Sequence, residues 1–242
     1  MTALIRADVL KLVKRRGLMI AAVSLVVGLP LVVLLVAAIG RSLAPDTFGE
    51  YGGAEGYEVL SGVMGFTMFV TTILLGGVAG SADESRGVFR DLAATGVSRA
   101  RLALARIPAV VVVIGVLVAI SFAVAIAVGS IASGSEPMPS SGAIARDGVN
   151  LLVAIVVYAA LAVGLSALTG SLAISLTVLF TWFIIIEPIV ASLSFLGDAR
   201  RVLLSSGFNA ITRPEFRFEG EETFGMSVAG GLIVLAAWAA SL

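Results

Sequence analysis

One carboxylate stands alone inside a long apolar run: Glu187, in TWFIIIEPIV. A charge at mid-bilayer costs roughly 2.5–3.5 kcal/mol on insertion scales, so such a group is usually functional or paired. Its possible chemistry is that of a proton or ion carrier, a gate, or a substrate contact. Counted from Ser171 at 1.5 Å per residue, Glu187 lies about 24 Å up an apolar core of roughly 30 Å, nearer the outer interface than the centre. Pro188 lacks a backbone N–H and predicts a helix break there. The competing structural expectation is an interfacial carboxylate at the top of a kinked helix.

The other concentration of ionised groups is SADESRGVFRDLAATGVSR, residues 81–99. Elsewhere the choice of chemistry is narrow. The chain has no cysteine and no histidine, which removes thiol chemistry, disulfides and the commonest zinc and haem ligands. It also removes the usual general base near neutral pH. A P-loop needs a glycine-rich turn ending in Lys-Ser/Thr. The only lysines are Lys11 and Lys14, and neither follows such a turn. ATP hydrolysis by that mechanism is not expected on this chain.

The elements that must position these groups follow from composition. Of 242 residues, 59% are hydrophobic and 13% charged, and mean hydropathy is +1.09. A water-soluble domain needs far more polar surface than that, so the class is an integral membrane protein. Net charge is zero, and nucleic acid is not an expected partner. A crossing needs about 20 apolar residues. Six such spans are expected, near 17–40, 59–82, 107–133, 149–169, 171–193 and 223–242, in one transmembrane domain covering 1–242. The uncharged stretch 148–186 is too long for one crossing and divides at Thr169-Gly170-Ser171. The fold is all-α, since barrel strands would alternate polar and apolar residues.

Basic residues set the orientation. Arg6, Lys11, Lys14, Arg15 and Arg16 precede the first span and put the N-terminus in the cytoplasm. Arg86, Arg90, Arg99, Arg101 and Arg106 then fall in the cytoplasmic loop 81–106. This places ten of the sixteen cations inside. The N-terminal LIRADVLKLVKRR sets Ile5, Val9, Leu12 and Val13 on one helical face and Lys11, Lys14 and Arg15 on the other. That pattern predicts an amphipathic interfacial helix over 1–16, with its cations toward lipid phosphates. Within the loop, Val88, Phe89, Leu92 and Ala93 form an apolar face if 87–94 is helical, with Gly96 placed to end the helix and Ser98 to cap the next. Asp83, Glu84 and Asp91 interleave with Arg86 and Arg90, which suits a protein partner of mixed charge better than a lipid surface.

At these residues the chain resembles the permease subunit of ABC-2 type exporters, the six-helix membrane half of an ATP-binding-cassette transporter. The resemblance extends over nearly the whole length. It rests on the N-terminal helix, the six spans, and the loop with Glu84, Gly87 and Leu92 followed by Thr95-Gly96-Val97-Ser98-Arg99. Arg106 stands where a lysine is often found. The resemblance implies that the short cytoplasmic helix is a coupling helix that docks in a groove of an ATPase subunit. Val88, Phe89 and Leu92 would fill the groove. Glu84, Arg86, Arg90 and Asp91 would form rim salt bridges, and Gly87 would permit the turn. It further implies two ATPase subunits carrying ATP and magnesium, no cofactor on this chain, a second permease copy or a homologous chain, and the plasma (cytoplasmic) membrane. The second and fifth spans would line the pathway, which makes Thr67, Thr71, Thr72, Thr177 and Thr181 candidates beside Glu187. The alternative for each threonine is a hydroxyl bonded back to its own helix. The extracellular loop 195–222 would hold a partly re-entrant helix from SFLGDARRVLLSSGF, with Arg200 and Arg201 meeting headgroups.

The expected function is therefore a permease, exporting a hydrophobic or amphipathic compound and driven by a separate ATPase. A secondary transporter using Glu187 is the first alternative, although no two halves of the chain show matching broken helices. A non-transporting scaffold, such as an immunity or sensor subunit, is the second. An intramembrane enzyme lacks the residues it would need.

Overall fold

The structure, a computed structural model, describes residues 2–44, 52–81, 99–132, 137–212 and 225–241. Among these every element is helical and there is no strand. We number them α1 Thr2–Val13, α2 Arg16–Leu43, α3 Gly53–Ser81, α4 Arg99–Ala132, α5 Ser141–Thr169, α6 Leu172–Ser192, α7 Leu204–Ile211 and α8 Val228–Ala240, with a 3-10 segment Ser194–Val202 before α7. Five helices, α2 to α6, are long and apolar enough to cross a membrane. α8 is equally apolar but has 13 residues, which reach about 20 Å at 1.5 Å each.

Two prolines, Pro30 in α2 and Pro188 in α6, are absorbed rather than breaking their helices. Pro30 follows a π-helical segment, Ser24–Gly28, in which the Leu29 N–H reaches back five residues to the Ser24 carbonyl. Pro188 follows another, Thr181–Ile186, in which the Glu187 N–H reaches the Trp182 carbonyl. Proline lacks a donor and its ring crowds the carbonyl four residues back; a widened turn removes that conflict. The helix break expected at Pro188 is thus a π segment, and the helix continues to Ser192.

Serines start three of the helices. The Ser140, Ser171 and Ser227 hydroxyls accept from the N–H groups of Ala143, Ile174 and Gly230, which satisfies one orphan donor in each first turn. α5 ends at Gly170, whose φ of +62° forms a left-handed cap. The chain therefore turns at the same triplet at which the sequence divides.

α3 is the central helix. Over its apolar window 56% is buried, against 22% in α2 and 17% in α6. Its glycines set the distance to α5. A Cβ on Gly76 would meet the Ala162 Cβ at 2.6 Å, and one on Gly80 would meet the Val163 carbonyl at 2.6 Å and the Ser166 side chain. The small-residue spacing of Gly76 and Gly80 thus serves packing within the chain. α1 packs on α4 with Leu12 buried, Val9 against the same cluster and Val13 exposed. Asp8 faces inward beside Arg15 and Arg106, and pairs with Lys11 at 3.0 Å.

Candidate functional site

Glu187 is 3% exposed, while Ile184, Ile185, Ile186 and Ile189 around it face outward. Its carboxylate does not point along α6. Its Oε1 accepts the Ser205 backbone N–H at 2.6 Å, and the Ser205 hydroxyl and Leu204 amide lie against the same group. Ser205 is in the first turn of α7. The N-cap of α7 is Leu203, which has no side-chain acceptor to offer, unlike the serines that begin α5, α6 and α8. The missing cap arrives from another helix. A carboxylate there satisfies an orphan donor and also meets the positive end of the helix dipole.

The opposite end of α7 is held in a complementary way. The Ile211 carbonyl accepts from Arg146 Nη2 at 3.0 Å and from Asn150 Nδ2 at 3.2 Å. Arg146 and Asn150 are four residues apart on α5 and so share one face. A guanidinium meets the negative end of the dipole. An eight-residue helix has little stability of its own. Its place is set by side chains from α6 at one end and α5 at the other.

The flanks of α7 show its direction. The Trp238 indole donates to the Val202 carbonyl at 2.8 Å, Gly207 lies against Leu235 and Gly231, and Ala210 against Gly231. Residue numbers rise along α7 as they fall along α8, so the two helices are antiparallel. Trp182, well inside α6, has its ring 5.9 Å from that of Trp238. After Ser192 the chain therefore returns alongside α6 to the level of Trp182 before α7 turns it back. Within this hairpin Arg200 donates to the Ala191 and Gly197 carbonyls, Arg201 pairs with Asp198 at 3.0 Å, and the Ser206 hydroxyl donates to the Arg200 carbonyl. Both arginines thus have partners within the chain.

Behind α7 lies a cluster of rings. Phe208 of α7 is 5.2 Å from Tyr158 of α5, which in turn lies 5.0 Å from Phe69 of α3 and 5.6 Å from Phe183 of α6. Phe180 completes the set, 5.8 Å from Phe69. Most of these contacts are edge-to-face, the favoured arrangement for packed rings.

The threonine candidates do not share a surface. Thr67 donates to the Met64 carbonyl at 3.2 Å, as a helix-bonded hydroxyl would. Thr71 and Thr72 are fully buried, and among the described residues their hydroxyls have no partner. Thr177 faces outward and Thr181 is half-buried. The docking set read from sequence, Glu84, Arg86, Gly87, Val88, Phe89, Arg90, Asp91 and Leu92, lies outside the described residues.

Sequence reasoning missed three residues of the clamp and its surroundings: Arg146, Asn150 and Asp147. Asp147 is 9% exposed and accepts from the Tyr57 hydroxyl at 3.1 Å. The available signal was the spacing of Arg146 and Asn150 at the start of an apolar helix. Arg106, also buried, donates to the Gly80 carbonyl at 2.7 Å and ties α4 to the end of α3. Compared with known proteins, the chain matches no family model, no curated protein and no solved structure.

Proposed function

We propose that this chain is the membrane permease of an ABC-2 type exporter, coupled to a separate ATPase through residues 84–92. The observation that carries the reading is the hairpin of Ser194–Val202 and Leu204–Ile211, which follows the fifth apolar helix and turns back among the helices. The resemblance implies a partly re-entrant helix at that place. In this reading α2 to α6 make five crossings. α8, within the uncharged run 223–242, makes the sixth, and the N-terminus is cytoplasmic. Two such chains, or this one and a homologue, enclose the pathway, and two ATPase subunits bind ATP and magnesium.

The secondary-transport reading asks Glu187 to exchange an ion. Its carboxylate is instead engaged with the first turn of α7, which favours a positioning role.

The test is a tagged pull-down of the whole chain from its native membrane in mild detergent. A P-loop ATPase is expected in stoichiometric amount, and Leu92→Asp is expected to abolish its recovery, because a charge would enter the apolar docking face. Failure of any ATPase to co-purify under several gentle conditions would overturn the reading.

A further inference from the structure

We propose that α1 senses anionic phospholipid; this rests on the permease reading. Arg6, Lys14 and Arg16 hold phosphate headgroups of the inner leaflet, and Asp8 and Arg106 carry that contact to the base of the ATPase-docking segment. Ala3, Arg6, Ala7, Leu10, Val13 and Lys14 recur at three- and four-residue spacing, and all six are exposed. Val9 and Leu12, of the apolar face read from sequence, pack instead against the protein. The outward face is therefore basic and apolar together, with no carboxylate. Leu10 and Val13 are each 48% exposed. Among the described residues, no side-chain hydrogen bond or ion pair holds Arg6, Lys14 or Arg16. Only Lys14 and Arg15 separate α1 from the first crossing, which begins at Arg16, so this face is kept at the membrane surface. That depth decides for lipid over a soluble protein: the cations meet headgroup phosphates, and Leu10 and Val13 meet the acyl boundary beneath them.

The other face of α1 reaches the docking segment. Asp8, its side chain 16% exposed, pairs with Lys11 and lines a recess with Arg15, Val78, Ala79 and Arg106. Arg106 is 3% exposed and donates from Nη1 to the Gly80 carbonyl at 2.7 Å. That carbonyl belongs to the last turn of α3, where helix carbonyls lack N–H partners and a cation meets the negative end of the dipole. α3 closes at Ser81 and α4 opens at Arg99, so Arg106 ties together the two helices that bear the segment with residues 84–92. Gly80 is also pressed on Val163 and Ser166 of α5, which leaves the end of α3 little room to absorb a shift of Arg106. One side of α1 meets the membrane, and the other meets the group that fixes the docking segment. Bound headgroups hold α1 down, keep Asp8 beside Arg106, and keep that base in the arrangement that drives the ATPase.

The chain has no cysteine, so one reporter reads the lipid at one place. The full chain with Ala7→Cys, carrying a fluorophore, is placed in phosphatidylcholine bilayers containing spin-labelled phosphatidylglycerol or spin-labelled phosphatidylcholine. Quenching is expected to show the anionic lipid enriched by at least about fivefold, the attraction of one surface cation. A reporter at Ile174→Cys, exposed on α6 within the uncharged stretch 148–186, should show no preference. Arg6→Gln with Lys14→Gln should bring Ala7→Cys down to that level, as should high salt. Excess inorganic phosphate at matched ionic strength should leave the preference unchanged; displacement by it would overturn the lipid assignment, and equal quenching by the two lipids would overturn the site. In complexes with the co-purified ATPase, hydrolysis is expected to be severalfold faster in bilayers containing phosphatidylglycerol than in phosphatidylcholine alone. Asp8→Asn and Arg106→Gln are expected to keep the lipid preference and lose the rate response, a split that a merely structural role would not produce. Equal parent rates in the two bilayers, or a full response in both variants, would overturn the relay. Loss of ATPase recovery from the Arg6→Gln, Lys14→Gln chain, with no lipid preference in the parent, would assign the face to the ATPase instead. If the parent recovers no ATPase, the permease reading and the relay fall together in the pull-down, while quenching still decides the lipid site.

Discussion

A methyl group on Gly80 has nowhere to go. It would press on the Val163 carbonyl and the Ser166 side chain, both on α5, and neither is the far end of a flexible chain. Gly80→Ala is therefore expected to push α3 from α5 and destabilise the protein by about 1–3 kcal/mol, the usual cost of overpacking. Gly62, on the same helix, has nothing within 4 Å of an added Cβ. Gly62→Ala should be neutral or slightly stabilising, by up to about 1 kcal/mol from helix propensity. Thermal unfolding of the two purified variants in one detergent checks both. The two glycines look alike in sequence, and only the neighbouring helix distinguishes them.

At the scale of elements, α7 is the case in which local sequence does not specify the structure. Eight residues with an apolar N-cap would fray alone. Glu187→Ala and Arg146→Ala are each expected to lower stability by about 1.5–3 kcal/mol, as the loss of a hydrogen bond to a charged group does. Once one end is free, the other contributes less, so the double variant should lose less than the sum. A double-mutant cycle by thermal unfolding measures that coupling; strict additivity would mean that the ends act independently. Sequence reading located the long helices where the cause was local: the apolar runs, and the turn at Thr169-Gly170-Ser171. It singled out Glu187 but could not name its partner, because Ser205 lies 18 positions away. Arg146 reaches Ile211 across 65 positions, and no periodicity encodes that pairing. The π segments were hidden for a different reason. Proline announces a conflict with the helix, but the surrounding packing decides whether the helix breaks or widens.

For the whole molecule, the number of crossings decides where the last helix ends. α8 spans about 20 Å, less than the roughly 30 Å of a hydrocarbon core, yet its first turn begins beside α7 and its run is uncharged. If it is the sixth crossing, Ser241 lies on the same side as the N-terminus. If it enters without crossing, Ser241 remains nearer the side of Ser140, which precedes α5. The cysteine-free chain makes the comparison direct, with Thr2→Cys, Ser140→Cys and Ser241→Cys each introduced alone. An impermeant maleimide added to intact cells is expected to label Ser140→Cys only; Thr2→Cys and Ser241→Cys should label after permeabilisation. The basic flank from Arg6 to Arg16 drives the first half of that pattern, since cations are retained in the cytoplasm. The second half depends on α8 alone. Labelling of Ser241→Cys from outside would leave five crossings, place the two ends of the chain on opposite sides, and remove the six-helix architecture on which the permease reading depends.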